Sequence, residues 1–260
     1  MDLDELLAIA ERAVTRGCQV VRDRTERAAT TKGTGDYVTA VDVASERAIT
    51  ALLREATPDI PVLGEEEGGA ALGGGRSWVV DPLDGTTNFV HGLPVVGVSV
   101  ALVEDGRPMA GAVGAPFLGE RWAAARGKGA FGIRDVDGPP ARLAVSTRRP
   151  AQAIVGTGFP FRHKDVLPRY LRVMEGALER FEDLRRPGAA ALDLAWVAAG
   201  VFDGFFELGL SPWDVAAGAL LIEEAGGVVT DWEGADGYLE GNILAGPSAV
   251  HASLLELTRP

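Results

Sequence analysis

Trp78-Val-Val-Asp-Pro-Leu-Asp-Gly-Thr-Thr-Asn-Phe89 decides how the rest of this chain reads. Trp78, Val79 and Val80 are a short apolar run of β-forming residues, read as a buried strand. A polar turn follows at once. Asp81 and Asp84 stand three apart with Pro82 between them. Proline fixes its own φ near about −65° and biases Asp81 away from helix, so the two carboxylates are aimed at one point. Gly85 comes next, then Thr86 and Thr87, which suit the start of a helical turn with free backbone N–H groups. Hard carboxylates beside an anion-binding turn are the parts of a Mg²⁺–phosphate site, the metal taking oxygens and the phosphate N–H donors. By turn chemistry alone, the stretch reads equally as an Asp-rich surface turn capping a helix.

Other acids stand where apolar runs turn polar. Asp42 follows Val38–Val41 and is expected to N-cap a helix carrying Ala44, Ala48, Ile49, Leu52 and Leu53, with Glu46 nearby. Glu65-Glu66-Glu67 ends a short strand that begins at Pro61. Asp214, after Ser211-Pro212-Trp213, opens a helix whose other face holds Ala216, Ala217, Leu220 and Leu221. Each has a plain reading by itself: a first-turn Asp complements the helix dipole, and three glutamates make a solvated edge. Together they occupy the element ends where sites in layered α/β folds sit.

The remaining pattern is one of helices interleaved with strands. Leu3, Leu6, Leu7, Ala10, Ala13, Val14, Gly17, Val20 and Val21 recur at helical spacing over residues 3 to about 27. Gly68–Gly75 is a glycine-rich loop. Strands are expected over Val95–Val103, Pro108–Ala115, Glu120–Ala125, Gly129–Gly132 and Arg142–Val145, with a turn over Asp135–Pro140. The second half alternates: strands at Ala153–Gly156, Phe202–Glu207, Val228–Thr230 and Ile243–Ala245, helices at Leu167–Phe181, Ala190–Ala199, Pro212–Ala225 and Ala249–Leu257. This is a layered α/β arrangement of sheet and helix.

A chain of 260 residues, 47% apolar and 24% charged, has the make-up of a globular enzyme. Its net charge, 25 − 37 = −12, argues against nucleic acid as a main partner. The acidity suits a small phosphorylated substrate only if metal ions neutralise the site. Cys18, the one cysteine, excludes an intrachain disulfide, suits a reducing compartment and reads as a small buried residue on the first helix. The start, Met-Asp-Leu-Asp-Glu-Leu-Leu, lacks the basic and apolar regions of a signal peptide, and no run approaches the roughly 18 apolar residues of a membrane span. A cytoplasmic location is the expectation.

Gly64-Glu65-Glu66, the Trp78–Phe89 stretch, Pro212-Trp-Asp-Val-Ala-Ala-Gly and Glu224-Ala-Gly-Gly together resemble the motifs of the inositol monophosphatase family, in family order and at family-like spacing, from about Lys32 to Gly227. The resemblance implies a Mg²⁺-dependent, lithium-sensitive phosphomonoesterase using two or three metal ions. It implies an αβαβα sandwich of the inositol monophosphatase / fructose-1,6-bisphosphatase type, one domain of two packed lobes: about 1–150 for the metal site and about 151–260 for the substrate. By motif position, the metal ligands are Glu65, Asp81, the carbonyl of Leu83, Asp84 and Asp214. Thr86 activates the attacking water with Asp42, and Glu65 joins them in the catalytic set. Backbone groups at Gly85 and Thr86 hold the phosphate, Gly188-Ala189-Ala190 and Glu207 meet the alcohol, and Asp84 and Asp214 complete the substrate-binding set. Ala189 departs from the family's usual serine or threonine, which removes a polar contact near the substrate. Lys32 matches a lysine of the family's mobile N-terminal loop. A homodimer is implied, without nucleic acid or membrane.

The resemblance puts a myo-inositol monophosphate first among substrates, because an acid at Glu207 accepts hydrogen bonds from polyol hydroxyls. Histidinol phosphate is the first rival; fructose 1,6-bisphosphate and adenosine 3′,5′-bisphosphate follow. A rival of another class is a non-catalytic regulator that keeps the fold as a binding surface. Other signals carry less. Gly127-Lys-Gly-Ala-Phe-Gly matches a dinucleotide fingerprint literally but stands among strands. His91, His163 and His251 lack metal-ligand spacing. His91 stands either at the site mouth or on the surface. Ser99 lacks a nucleophile-elbow frame. Arg185 and Arg186 read as rim residues, an oligomer contact or a solvated pair.

Overall fold

A computed structural model describes residues 1–24, 26–33, 36–69, 72–133 and 138–259, the side chains of Lys32 and Asp36 excepted. The Lys32 side chain, part of the Gly68–Gly75 loop and the first half of the turn expected over Asp135–Pro140 therefore lie outside the described residues. Helix α1 (Leu3–Asp23) buries Leu6, Ile9, Ala10, Ala13, Val14, Gly17, Cys18 and Val21 on one face and is opened by a reciprocal Asp2–Glu5 capping box. It ends short of residue 27 because Arg24 turns extended. A hairpin of β1 (Ala29–Gly33) and β2 (Asp36–Thr39) leads into α2 (Ala40–Ala56). Thr39, not Asp42, is the N-cap of α2. Its hydroxyl accepts from the N–H of Val41 and Asp42, while the Asp42 carboxylate returns to the N–H of Thr39 at 2.9 Å. Asp42 is thus the third helical residue of a capping box, which spends one of its oxygens and leaves the other to the site.

Next come β3 (Val62–Gly64), β4 (Arg76–Asp84), a short α3 (Thr86–His91), β5 (Gly97–Glu104), β6 (Arg107–Ala115), β7 (Glu120–Ala125), β8 (Gly129–Ile133) and β9 (Ala141–Arg142). These strands form one seven-stranded sheet in sequence order, with β3 parallel to β4 and every later pair antiparallel. The strand expected over Arg142–Val145 shrinks to β9, because the N–H of Val145 bonds the carbonyl of Ala225 instead of a strand. Strand β4 does not end at Val80 as the sequence implies; it continues to Asp84.

The second half contributes β10 (Ile154–Thr157), α4 (Leu167–Arg180), β11 (Asp183–Arg185), α5 (Ala190–Ala198), β12 (Gly204–Glu207), α6 (Pro212–Glu224), β13 (Val228–Thr230), β14 (Ile243–Gly246) and α7 (Ser248–Thr258). Its five-stranded sheet has the order β11-β10-β12-β14-β13, the first three strands parallel and the last three antiparallel. Helices α1 and α2 cover one face of the large sheet, α5 and α6 fill the space between the sheets, and α4 with α7 cover the far face of the small one. The result is an αβαβα sandwich. Position in the stack explains composition: α5 and α6 are apolar almost all round because a sheet covers them on each side, whereas α1 and α4 keep a polar face. Among the described residues no helix is long and apolar enough to cross a membrane.

Candidate metal-phosphate site

One irregularity in β4 creates the centre of the site. Asp81 pairs with Ser99 of β5, and Asp84 with Gly97, so three steps along β4 match two along β5. In a regular strand two residues three apart face opposite sides of the sheet. The extra residue is a β-bulge, a tolerated place for Pro82, and it brings both aspartates to one side. Asp81 also accepts the N–H of Leu83 at 3.0 Å, which tightens the bend. Gly85 then adopts the left-handed conformation (φ 86°) as the N-cap of α3, and Thr86 starts the helix. A helix with no side-chain cap leaves its first N–H groups facing the pocket, the arrangement an anion takes.

Asp214 arrives from the far half of the chain. Ser211 caps α6, and Asp214 answers with a carboxylate oxygen 2.6 Å from the N–H of Ser211. Ligand oxygens of Asp81, Asp84 and Asp214 all lie within 4.8 Å of one another. Glu65, at the end of β3, lines the same pocket without joining that tight group. Burial, followed by the charges of Glu65, Asp84 and Asp214, pushes the Asp81 carboxyl well above the usual carboxylate range. Burial and the charge of Asp214 raise Asp84 to about 7. Asp214 is raised by burial as well. Three carboxylates this close, two of them buried, repel one another unless a cation sits between them, and an all-oxygen donor set suits a hard divalent ion. The residues present therefore fit magnesium, with the Leu83 carbonyl in the same pocket lining.

Around this centre the structure gathers the expected companions. The Thr86 hydroxyl donates to Asp42 Oδ1 at 3.0 Å, with the Leu83 carbonyl at 3.2 Å. Asp42 is fully buried, and burial raises its carboxyl despite the hydrogen bonds from Thr39 and Thr86. Asp84 Oδ2 accepts the N–H of Ala191 at 2.7 Å, which ties the first turn of α5 to the bulge. Gly188, Ala189 and Ala190 line the pocket beside Gly85 and Thr86. Glu207, at the end of β12, lines the opposite wall; burial first, then Asp214, raises it to about 8. The cavity holds about 380 Å³.

Other pocket residues were not legible in the sequence. Tyr37, Phe159, Phe161, Arg162 and His163 line it; Arg186, which the sequence offered as a rim residue among other readings, lines it too, its guanidinium 5.4 and 5.5 Å from the ring centres of Phe159 and Phe161. All but Tyr37 sit on the loop after β10 or after β11, and loop placement depends on tertiary packing. Arg162 lowers Asp84, Glu207 and Asp214 through its charge. Beneath them Asp193 of α5 is fully buried and raised well above the usual range by burial and by Glu207. His91 closes α3, is exposed and does not line the pocket. Ser99 donates to the carbonyl of Trp213 at 3.1 Å, a tether for the start of α6. The N–H groups of Gly127 and Gly129 are taken by Glu224 at 2.8 Å each, which occupies the glycine-rich turn internally.

Comparison with known proteins places this geometry. The model of the inositol monophosphatase family matches residues 2–259. The chain is 43% identical to Nus factor SuhB of Pseudomonas aeruginosa over 269 aligned residues, covering 99% of this chain and 97% of that protein. Among solved structures, extragenic suppressor protein suhB from Bartonella henselae superposes with a TM-score of 0.89 at 36% identity, covering 97% of each chain. An inositol monophosphatase from Anabaena superposes with a TM-score of 0.87 at 33% identity, covering 99% of this chain and 96% of that one.

Proposed function

Since this chain belongs to the inositol monophosphatase family, and its Asp81, Asp84 and Asp214 oxygens converge within 4.8 Å, we propose that it hydrolyses a small phosphate monoester with Mg²⁺, a myo-inositol monophosphate before others. The convergence of those three carboxylates is the observation that carries the reading. Glu65, Asp81, Asp84, Asp214 and the Leu83 carbonyl hold the metal. Bound there, magnesium supplies the positive charge that offsets the ester's own and makes a water acidic near neutral pH.

The chain's own groups do the rest. Thr86 spends its proton on Asp42 and so presents a lone pair to the attacking water. As the water attacks phosphorus, its proton passes to the Thr86 oxygen and the Thr86 proton to Asp42, a carboxylate whose burial makes it a stronger base than an exposed one. The uncapped N–H groups after Gly85 hold phosphate oxygens. Glu207 accepts hydroxyls of the leaving alcohol, and an alcohol lacking them leaves that acid unmet. Ala189 offers only its backbone beside them. The site's partners are then the substrate and, by family likeness, a second copy of the chain, whose mass light scattering measures.

A panel of phosphate esters assayed with Mg²⁺ tests this. An inositol monophosphate is expected to turn over fastest; histidinol phosphate ahead of it replaces the substrate assignment. Release of no phosphate from any ester favours the second reading, a regulatory protein that retains the fold. That reading has its own support in the name Nus factor, borne by relatives 42–43% identical to this chain. The name also weighs against the expectation, drawn from net charge, that nucleic-acid partners are absent.

A further inference from the structure

Helix α2 turns one polar face toward both acid-bearing turns. Asp42, Ser45 and Glu46 share that face at i, i+3 and i+4, and all three are buried. Asp42 takes the Thr86 hydroxyl. Ser45 Oγ donates to the carbonyl of Pro82 at 2.9 Å, inside the bulge between Asp81 and Asp84. Glu46 accepts the N–H of Glu66 at 2.8 Å on one oxygen and the N–H of Glu67 at 2.7 Å on the other. Those are the two residues directly after Glu65.

Glu46 is only 1% exposed. Among the described residues it forms no ion pair, and both oxygens are spent on backbone N–H groups. A buried carboxylate without a cation is costly, and two well-aligned charge-assisted hydrogen bonds are what offset it. The turn it grips is also tied by its backbone, the Glu65 N–H to the carbonyl of Val80 at 3.2 Å and the Gly64 N–H to that of Gly68 at 3.0 Å; Glu46 adds the side-chain anchor directly after Glu65. Strand β3 is three residues long and stands at the edge of its sheet. The grip is also close: a Cβ on Gly64 would stand 2.3 Å from Glu46 Oε1. The Arg47–Glu67 pair at 2.7 Å adds an exposed strap, of the kind worth little by itself.

We propose that Glu46 is the positioning residue for Glu65, and that α2 sets the spacing between the Glu65 turn and the Asp81–Asp84 bulge, hence the affinity for Mg²⁺. Glu46 touches neither the ester nor the attacking water. The proposal rests on the reading of Glu65 as a ligand beside Asp81, Asp84 and Asp214, so its test reads metal binding rather than turnover.

The experiment is calorimetric titration of Mg²⁺ into the metal-free full chain: wild type, Glu46→Gln, Glu65→Gln and the double variant, with melting curves recorded in chelator. Glu46→Gln keeps the shape and one acceptor oxygen. It is expected to weaken Mg²⁺ binding about tenfold, the order of one lost charge-assisted hydrogen bond, while the metal-free melting temperature holds. The double variant is expected within about twofold of Glu65→Gln, because changes acting through one contact do not add. Should Glu46→Gln fail to fold, Ser45→Ala loosens the other turn and is expected to weaken binding in the same direction. Wild-type affinity in the folded variant, or losses that multiply in the double variant, overturn the proposal. A wild-type chain that binds no Mg²⁺ overturns both readings; one that binds Mg²⁺ and cleaves no ester overturns the functional reading alone.

Discussion

The hydroxyl of Thr86 lies 3.0 Å from Asp42 Oδ1, although the two residues are 44 positions apart and sit on different helices. Asp42 is held for this contact by its capping bond to Thr39, which fixes one oxygen and points the other at Thr86. Removing either partner should leave the metal ligands in place and cost the proton relay. Thr86→Ala and Asp42→Asn are expected to lower kcat by about 10² or more, the scale of a general base, with Mg²⁺ half-saturation within a few-fold of wild type. Equal losses in metal affinity would place these residues among the ligands instead.

Asp84 faces the carboxylates of Asp81 and Asp214 and accepts the N–H of Ala191. Asp84→Asn keeps the volume, removes one charge from the acid cluster and retains an acceptor for Ala191. Turnover with Mg²⁺ is expected to fall close to background while the metal-free melting temperature rises, because a repulsive buried charge is gone. Near-normal phosphate release by this variant would sink the metal assignment.

The same repulsion sets a pH dependence for the metal-free chain. Asp84 titrates at about 7 and Glu207 at about 8 in the folded chain, both raised chiefly by burial. Both sit near 4 when exposed. Between those limits the native chain binds more protons than the unfolded one, so stability falls as pH rises. The melting temperature in chelator is expected to drop between about pH 5 and pH 8. Added Mg²⁺ should restore it at the upper end and do little at the lower, where protons compete with metal. A flat profile in chelator contradicts the buried-acid account.

Glu207 depends on a gap left by Gly158 at the end of β10, where a Cβ would stand 1.9 Å from Glu207 Oε1. Gly158→Ala therefore displaces the acid. It is expected to raise KM for a polyol phosphate and to leave a simple alkyl phosphate nearly unchanged, a split that Glu207→Gln should reproduce. Uniform loss on both substrates would mean that the wall supports the pocket without reading the alcohol.

Much of this was legible in the sequence because local rules govern it. The apolar run into Asp81, the Pro82–Asp84 spacing and the start of α6 at Pro212 all follow from patterning and proline stereochemistry. The bulge was not legible, since it exists only as a mismatch with β5. Strand β11, Asp-Leu-Arg, is three residues at a sheet edge and has no alternation to show. Asp42 looked like a cap because Thr39 competes for the same role three residues earlier, and only the hydrogen bonds decide. Arg162 and His163 reach the pocket on a loop whose course is set by packing after both sheets form, whereas Arg186 was one of several open readings at the rim.

Helix α6 fills the space between two sheets and carries Asp214 at its first turn. Its register is therefore a ruler for the interior. Enlarging or trimming a residue deep among α5, α6 and the large sheet, well away from solvent, tilts or slides the helix and moves one carboxylate relative to Asp81 and Asp84 on β4. Harm to the core would surface as poorer cation retention before any loss of folded protein.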